Sequence, residues 1–531
     1  MDSTMPTLIA RLMIALAVLF LAPAALFAAG IATGVVNLDS GPVRGTVESG
    51  LRVFLGIPYA APPVGPLRFK PPAPPVRWKA VRECNAFGPA CVQPGKTETK
   101  GYGEDCLYLN VWPPAKSPRA KLPVMVWVHG GGFQFGAASL PEYGGAHLAR
   151  QGVVLVSLNY RLGPLGYFAH PLLAKESPHG VTGNYGLLDQ IAALTWVRNN
   201  IAAFGGDPQK VTVFGQSAGA RSVSLLLISP LAKGLFVRAI AQSGGPIMGS
   251  EYLSPSFNGD AANVARMGLE LSRRLGCDKT PDELACLRAA SVPDILKAAA
   301  TETSIFRDGL FFAPVFDGWV LPLDPATAFA AGGQNRASLI AGSTQNEGAV
   351  YLKDQTAITM QTYRGFLKTR FAGDADAALE MFPVRCDAEV PRAIDFFVTV
   401  AVNAEPARFM ARSLVAAGVP AYLYRFTRRP DTVMARKLGV HHGADLAYVF
   451  GNMSKADGYA DADLALSRIM MAYWVNFAQS GDPNGPGLAV WPAYDAKTDQ
   501  DLEIGDHIRS ESGLYKKECD FIRGVSRFRT K

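Results

Sequence analysis

Short apolar runs rich in β-branched residues recur along this chain, and stretches with helical spacing lie between them. The runs are Leu122–Val128 (LPVMVWV), 153–158 (VVLVSL), 211–214 (VTVF) and 338–341 (SLIA). Each is uncharged and short, so each reads as a strand buried on both faces. In 187–200 (LLDQIAALTWVRNN), Leu188, Ile191, Leu194 and Val197 are spaced by three, which predicts an amphipathic helix. Strand and helix alternating in this way predict an α/β chain, with a mostly parallel central sheet covered by helices on both faces. Residues from about 250 to 333 are more helical and loop-like and read as an insertion over the sheet. The Pro-rich stretch 60–77 reads as a fixed surface loop, because aromatic and apolar residues punctuate it.

At 531 residues the chain could hold three to four domains by length alone, at about 150 residues each. No Gly/Ser linker divides it and nothing repeats at a fixed period, so residues 29–531 are expected to form one elaborated domain. A composition of 49% hydrophobic and 18% charged residues excludes a disordered chain. The net charge of +7 comes with no dense basic run, which argues against a nucleic-acid partner. Residues 12–29 (LMIALAVLFLAPAALFAA) follow Arg11 and carry no charge. A basic start, an apolar run and a small-residue end predict a signal peptide over residues 1–28. Pro23 interrupts the run, which weighs against a retained membrane anchor. The mature protein is therefore expected to be secreted or periplasmic, without stable membrane insertion, where disulfides persist.

Gly215-Gln216-Ser217-Ala218-Gly219 joins the strand VTVF to the apolar helix-like run 222–228. A strand that reverses sharply into a helix strains its central residue and leaves no room for side chains two residues either side. This marks Ser217 as the nucleophile, beside the positive end of the following helix. His129-Gly130-Gly131-Gly132-Phe133 follows directly on the strand PVMVWV. Acyl transfer builds negative charge on a carbonyl oxygen, and a preorganised N–H donor there lowers the barrier by about 3–4 kcal/mol. Gly131, Gly132 and Ala218 are the expected oxyanion donors. No Lys follows the glycines, as a nucleotide-binding loop would require.

Where a nucleophile elbow tops a parallel sheet, the partners follow in the order Ser, acid, His. His441, His442 and His507 lie far enough along the chain, and order alone does not choose between the first two. His507 sits in a polar stretch and reads as a solvated surface residue. Glu347 follows the strand SLIAG in the loop STQNEG, at a strand end where such sheets carry catalytic groups. Asp308, Asp317 and Asp445 remain open on order or proximity.

Seven blocks in register then bring a resemblance. They are FLGIPYAAPPVGPLRFK (54–70), EDCLYLNVW (104–112), the HGGGF loop, NYRLG (159–163), GNYGLLDQIAALTWVRNNIAAFGGDP (183–208), VTVFGQSAGA and HHGADLAYVFG (441–451). Across nearly the whole mature chain the sequence resembles the type-B carboxylesterase and cholinesterase family of α/β-hydrolases. The resemblance implies an α/β-hydrolase fold and selects His442, which precedes Gly-x-acid-Leu, and Glu347, which precedes Gly. It implies disulfides Cys91–Cys106 and Cys277–Cys286, with Cys386–Cys519 as a candidate third and Cys84 left over. It also implies structural ion pairs Arg68–Glu104 and Arg161–Asp189.

Three departures stand out. Gln216 replaces a Glu that many relatives carry, Asp445 replaces a Glu, and the 14-residue loop between Cys91 and Cys106 holds no Trp. Cholinesterases bind a quaternary ammonium against such a Trp, so cholinesterase activity is not expected. The expected reaction is carboxylic-ester hydrolysis through an acyl-enzyme on Ser217, acting on a small-molecule ester and needing no metal or organic cofactor. Two alternatives stand beside it. One is a lipase whose long-acyl pocket is lined by Phe306, Phe311, Phe312 and Phe316. The other is a non-catalytic binding or adhesion protein on the same fold.

Overall fold

The computed structural model describes residues 31–96, 101–114, 118–246, 260–300, 310–352 and 358–525. The expected leader, Phe306 and Asp308 lie outside the described residues. A twelve-stranded sheet forms the centre. Its middle is parallel and runs, in spatial order, through Val154–Leu158, Leu122–Val128, Gly206–Gln216, Arg238–Gln242, Ser338–Thr344, Ala421–Phe426 and Gln500–Ile504. Antiparallel strands extend it at both ends: Tyr108–Trp112 and Leu51–Pro58 on one side, Ile508–Ser512 on the other. All four expected strands are present.

The two faces of the sheet bury two separate cores. Val124, Val126 and Val128 point into one, while Met125 and Trp127 point into the other. This period of two explains why the strand reads as unbroken apolar sequence: neither face meets water. The helix expected over 187–200 spans Tyr185–Asn200 and departs from the amphipathic reading. Leu188, Ile191, Leu194 and Val197 are buried, but so are Leu187, Asp189, Gln190, Ala193 and Trp196. The helix is enclosed on most sides, and Asp189 is tolerated there because Arg161 pairs with it at 2.6 Å. The second expected ion pair also forms, with Arg68 held against Glu104 at 2.5 Å. Between Arg238–Gln242 and Ser338–Thr344 come the helices Ala261–Leu275, Glu283–Ala289, Val292–Ala299 and Pro325–Ala330, which is the expected helical insertion. Among the described residues no helix is long and apolar enough to cross a membrane.

Cys91 is bonded to Cys106 and Cys277 to Cys286, as expected. The candidate third bridge does not form. Cys386 is exposed, whereas Cys519 lies on the buried face of the helix Lys516–Gly524, within a third apolar cluster. One side chain faces solvent and the other the interior, so the expectation of a single leftover thiol is corrected to three. Burial pushes the Cys84 thiol up to about 11 and that of Cys519 up further. A thiol reagent is therefore expected to titrate three groups in the unfolded protein and to react promptly with Cys386 alone in the native one.

Asp501, on the strand Gln500–Ile504, is 1% exposed, and among the described residues neither carboxylate oxygen has a hydrogen-bond partner. Burial pushes its carboxyl up from 3.8 to about 6, against the pull of Arg425 and Arg408 and with the push of Glu511 and Asp499. A carboxyl raised in the folded state favours folding fully below its unfolded value, and that contribution is lost as pH climbs through the folded one. Asp501→Asn is expected to remove this dependence. Its stability relative to the natural chain should rise by about 2 kcal/mol between pH 4 and pH 7. Thermal melts at the two pH values check this, and an equal difference at both would refute it.

Candidate active site

The C-terminal ends of the parallel strands carry the site, where loops can hold groups over a rigid sheet. Val128 ends its strand in register with Gly215, so the glycine loop and the elbow emerge side by side. Ser217 sits at φ 58°, ψ −122°, a strained conformation for a residue with a side chain. Its N–H donates to the Gln242 carbonyl at 2.9 Å, and the helix Ala218–Ile228 begins at the next residue. The flanking glycines are needed for space. A Cβ at Gly219 would lie 2.0 Å from the Val128 carbonyl oxygen, and one at Gly215 would lie 2.5 Å from the Gly219 carbonyl carbon.

Gly131 and Gly132 have φ of 110° and 61°. Among the described residues their N–H groups have no hydrogen-bond partner. Gly131 instead uses its carbonyl, which accepts from the N–H groups of Gln134 and Phe135 at 2.9 and 3.1 Å. Ala218 is the first residue of its helix, so its N–H has no acceptor within the helix. His129, at the head of this loop, is a structural residue. It is 1% exposed, stacks on Tyr160 at 4.5 Å, and burial pushes its imidazole down to about 4.

Glu347 is fully buried in the loop after Ser338–Thr344. Its Oε2 receives His442 Nδ1 at 2.5 Å, and its Oε1 accepts the Thr344 N–H at 2.6 Å. On the far side of the ring, His442 Nε2 lies 3.1 Å from Gln216 Nε2, so it faces the elbow. An amide N–H can only donate. With the amide so oriented, Nε2 is the accepting nitrogen and the ring proton is on Nδ1, the tautomer a general base needs.

The remaining candidates are elsewhere. His441 turns back, its Nδ1 lying 3.1 Å from the His442 carbonyl oxygen, and His507 is exposed. Asp317 holds a turn by accepting from the N–H groups of Trp319 and Leu321. Asp445 is buried beside the site, where it accepts from Gln242 Nε2 at 2.9 Å and the Tyr424 hydroxyl at 2.8 Å. Phe311, Phe312 and Phe316 pack against the main core, and Phe312 is 1% exposed.

Several supporting residues carry no sequence signal. Asn346 stitches the loops that carry Glu347 and His442 together: its Oδ1 accepts the Val440 N–H at 3.0 Å, and its Nδ2 donates to Asp395 at 2.9 Å. The other Asp395 oxygen accepts from the N–H groups of Gly348 and Ala349, so this carboxylate grips the loop on both sides of Glu347. Burial holds the Asp395 carboxyl above its ordinary value, partly offset by those three hydrogen bonds. Thr399 Oγ1, one helical turn on, accepts the N–H of Glu347 itself at 3.1 Å.

An elbow serine, a His–Glu pair facing it and a loop of unused N–H groups agree with what sequence comparison finds. The Carboxylesterase family model matches residues 32–522. The chain belongs to the Carboxylesterase family. It is 37% identical to the fumonisin B1 esterase of Sphingopyxis macrogoltabida, over 90% of this chain and 87% of that one. It is 38% identical to the para-nitrobenzyl esterase of Bacillus subtilis (strain 168), over 90% of this chain and 96% of that one. A solved structure of a PNB esterase superposes with a TM-score of 0.80 at 35% identity, covering 92% of this chain and 99% of that one. This member of the Carboxylesterase family is accordingly a carboxylic-ester hydrolase with the α/β-hydrolase fold, and the family's small ester substrates are its class of ligand.

Proposed function

We propose that Ser217, His442 and Glu347 are the catalytic triad of a secreted serine esterase, with Gly131, Gly132 and Ala218 as its oxyanion hole. The observation that carries this reading is the 2.5 Å contact between His442 Nδ1 and Glu347 Oε2 with the opposite ring nitrogen turned to the elbow. In this mechanism His442 Nε2 takes the hydroxyl proton as Ser217 Oγ attacks the ester carbonyl carbon. The three N–H groups receive the oxyanion. The C–O bond to the alcohol breaks, and the alcohol leaves with the proton held on Nε2. Water, deprotonated by the same nitrogen, then attacks the acyl-enzyme and releases the acid. Glu347 keeps the imidazole oriented and stabilises its charged form.

Residues 29–531 as one domain, released from a leader over residues 1–28, complete the proposal. The two disulfides support an oxidising destination. A fluorophosphonate probe tests the site, since only an activated serine reacts with it. Peptide mapping of the labelled protein is expected to find the adduct on Ser217, and labelling confined to any other residue would refute the assignment.

A further inference from the structure

Arg221 stands one helical turn after the nucleophile, and its N–H donates to the Ser217 carbonyl at 2.9 Å. Residues four apart share a helix face, and long side chains lean back toward the helix N-terminus. Its guanidinium therefore belongs over the turn that holds Ser217. Tyr351 is the neighbour it acts on electrostatically, and the Tyr351 ring lies 6.3 Å from the His442 ring. Arg221 is half-buried, as are Ser217 and His442.

What distinguishes this cation is that no described residue answers it with a hydrogen bond or a carboxylate. Other enclosed arginines of the fold have partners: Arg68 has Glu104, Arg161 has Asp189, Arg408 has Asp499, and Arg370 has the Phe366 carbonyl and ring. Among the described residues the Arg221 side chain has no hydrogen bond and no ion pair, and Tyr351 is the one titratable group acting on it. Burial draws its guanidinium below the ordinary value, yet an arginine stays charged. A half-buried, unpaired positive charge beside a nucleophile has given up part of its hydration without compensation, and a bound anion would restore it.

We propose that Arg221 is a subsite for a free carboxylate carried by the ester, so that the enzyme's preferred substrates are esters bearing one carboxylate near the scissile carbonyl. The planar guanidinium fork matches a carboxylate in two parallel hydrogen bonds. A single cation with no second one acting on it fits a monoanion better than a phosphate dianion. The proposal rests on Ser217 being the nucleophile, because that is what puts Arg221 beside the reacting carbonyl.

Two pairs of esters test it and locate the carboxylate. The acyl pair is the 4-nitrophenyl monoester of glutarate against 4-nitrophenyl pentanoate. The alcohol pair is the butyrate ester of 4-hydroxybutanoate against butyl butyrate. In at least one pair the anionic-to-neutral ratio of kcat/KM is expected to fall about tenfold or more in Arg221→Gln, mainly through KM, with Arg221→Lys intermediate. The pair that responds shows which half of the ester carries the charge. A fall of less than threefold in both pairs overturns the subsite. Should Arg221→Gln not fold, Arg221→Lys carries the test under the same threshold, since it keeps the charge and loses the fork. A natural enzyme inactive on all four esters would instead count against the site reading itself, which separates the two failures.

Discussion

Ser217→Ala is expected to fold normally and to lose nearly all esterase activity, by roughly 10⁴-fold or more in kcat. The size follows from what the hydroxyl does in the proposed mechanism: its oxygen is the atom that bonds to the acyl carbon, and no neighbour can substitute for it. The normal folding follows from the elbow. Alanine keeps the Cβ already accommodated at φ 58°, and the Ser217 N–H still reaches the Gln242 carbonyl at 2.9 Å. The helix keeps its start, because the Ser217 side chain makes no capping hydrogen bond to it. Purified variant and natural protein should give superimposable circular dichroism and melting curves, while hydrolysis of a 4-nitrophenyl ester by the variant falls to background. Retained turnover would remove Ser217 from the mechanism. Comparable loss of activity and of stability together would show only that the elbow had collapsed.

The same elbow shows how far sequence could be read. At Gly219 the steric demand comes from the Val128 carbonyl of the neighbouring strand, 2.0 Å from a Cβ placed there, and is legible only through the motif. Gly215 is legible because its steric demand is local: a Cβ there would lie 2.5 Å from the Gly219 carbonyl carbon in the same turn. The parallel strands are legible for a similar reason, since Leu122–Val128 records in seven residues that both of its faces are buried. The helix Tyr185–Asn200 was less so. Its spacing showed one apolar stripe, but enclosure on the other sides is set by strands and helices distant in sequence. The choice between His441 and His442 needed the family resemblance. It turns on which ring meets Glu347, a contact across 95 residues that no local pattern encodes. Cys386 and Cys519 fail as a pair for the complementary reason: their counts allowed a bridge, and only the fold puts one outside and the other inside. Asn346, Asp395 and Thr399 left no trace at all. Each is an ordinary polar residue until the loop of Glu347 lies against the helix that carries the latter two.

That loop makes Glu347→Gln the more informative substitution. Glutamine has the same shape, so the fold should be kept, and its Oε1 can still accept the Thr344 N–H now held at 2.6 Å. With Oε1 so engaged, the amide nitrogen takes the place of Oε2, facing His442 Nδ1 at the 2.5 Å contact distance. Two donors cannot face one another. The imidazole must then accept at Nδ1, and its one proton moves to Nε2, the nitrogen that in the proposed mechanism takes the proton of Ser217. The variant is therefore expected to be correctly built and to hold the wrong tautomer. Its kcat should fall by roughly 10⁴-fold, with KM for a neutral ester changing far less because nothing that touches the bound ester has moved. Raising the pH should recover part of the loss, as hydroxide attack begins to bypass the general base, whereas a variant that had merely unfolded would not recover. Single-turnover measurements across pH, with a melting curve as control, distinguish these outcomes. If activity fell less than about tenfold, Glu347 would be only a structural support, and the buried Asp445, held by Gln242 and Tyr424 beside the same ring, would become the acid to test.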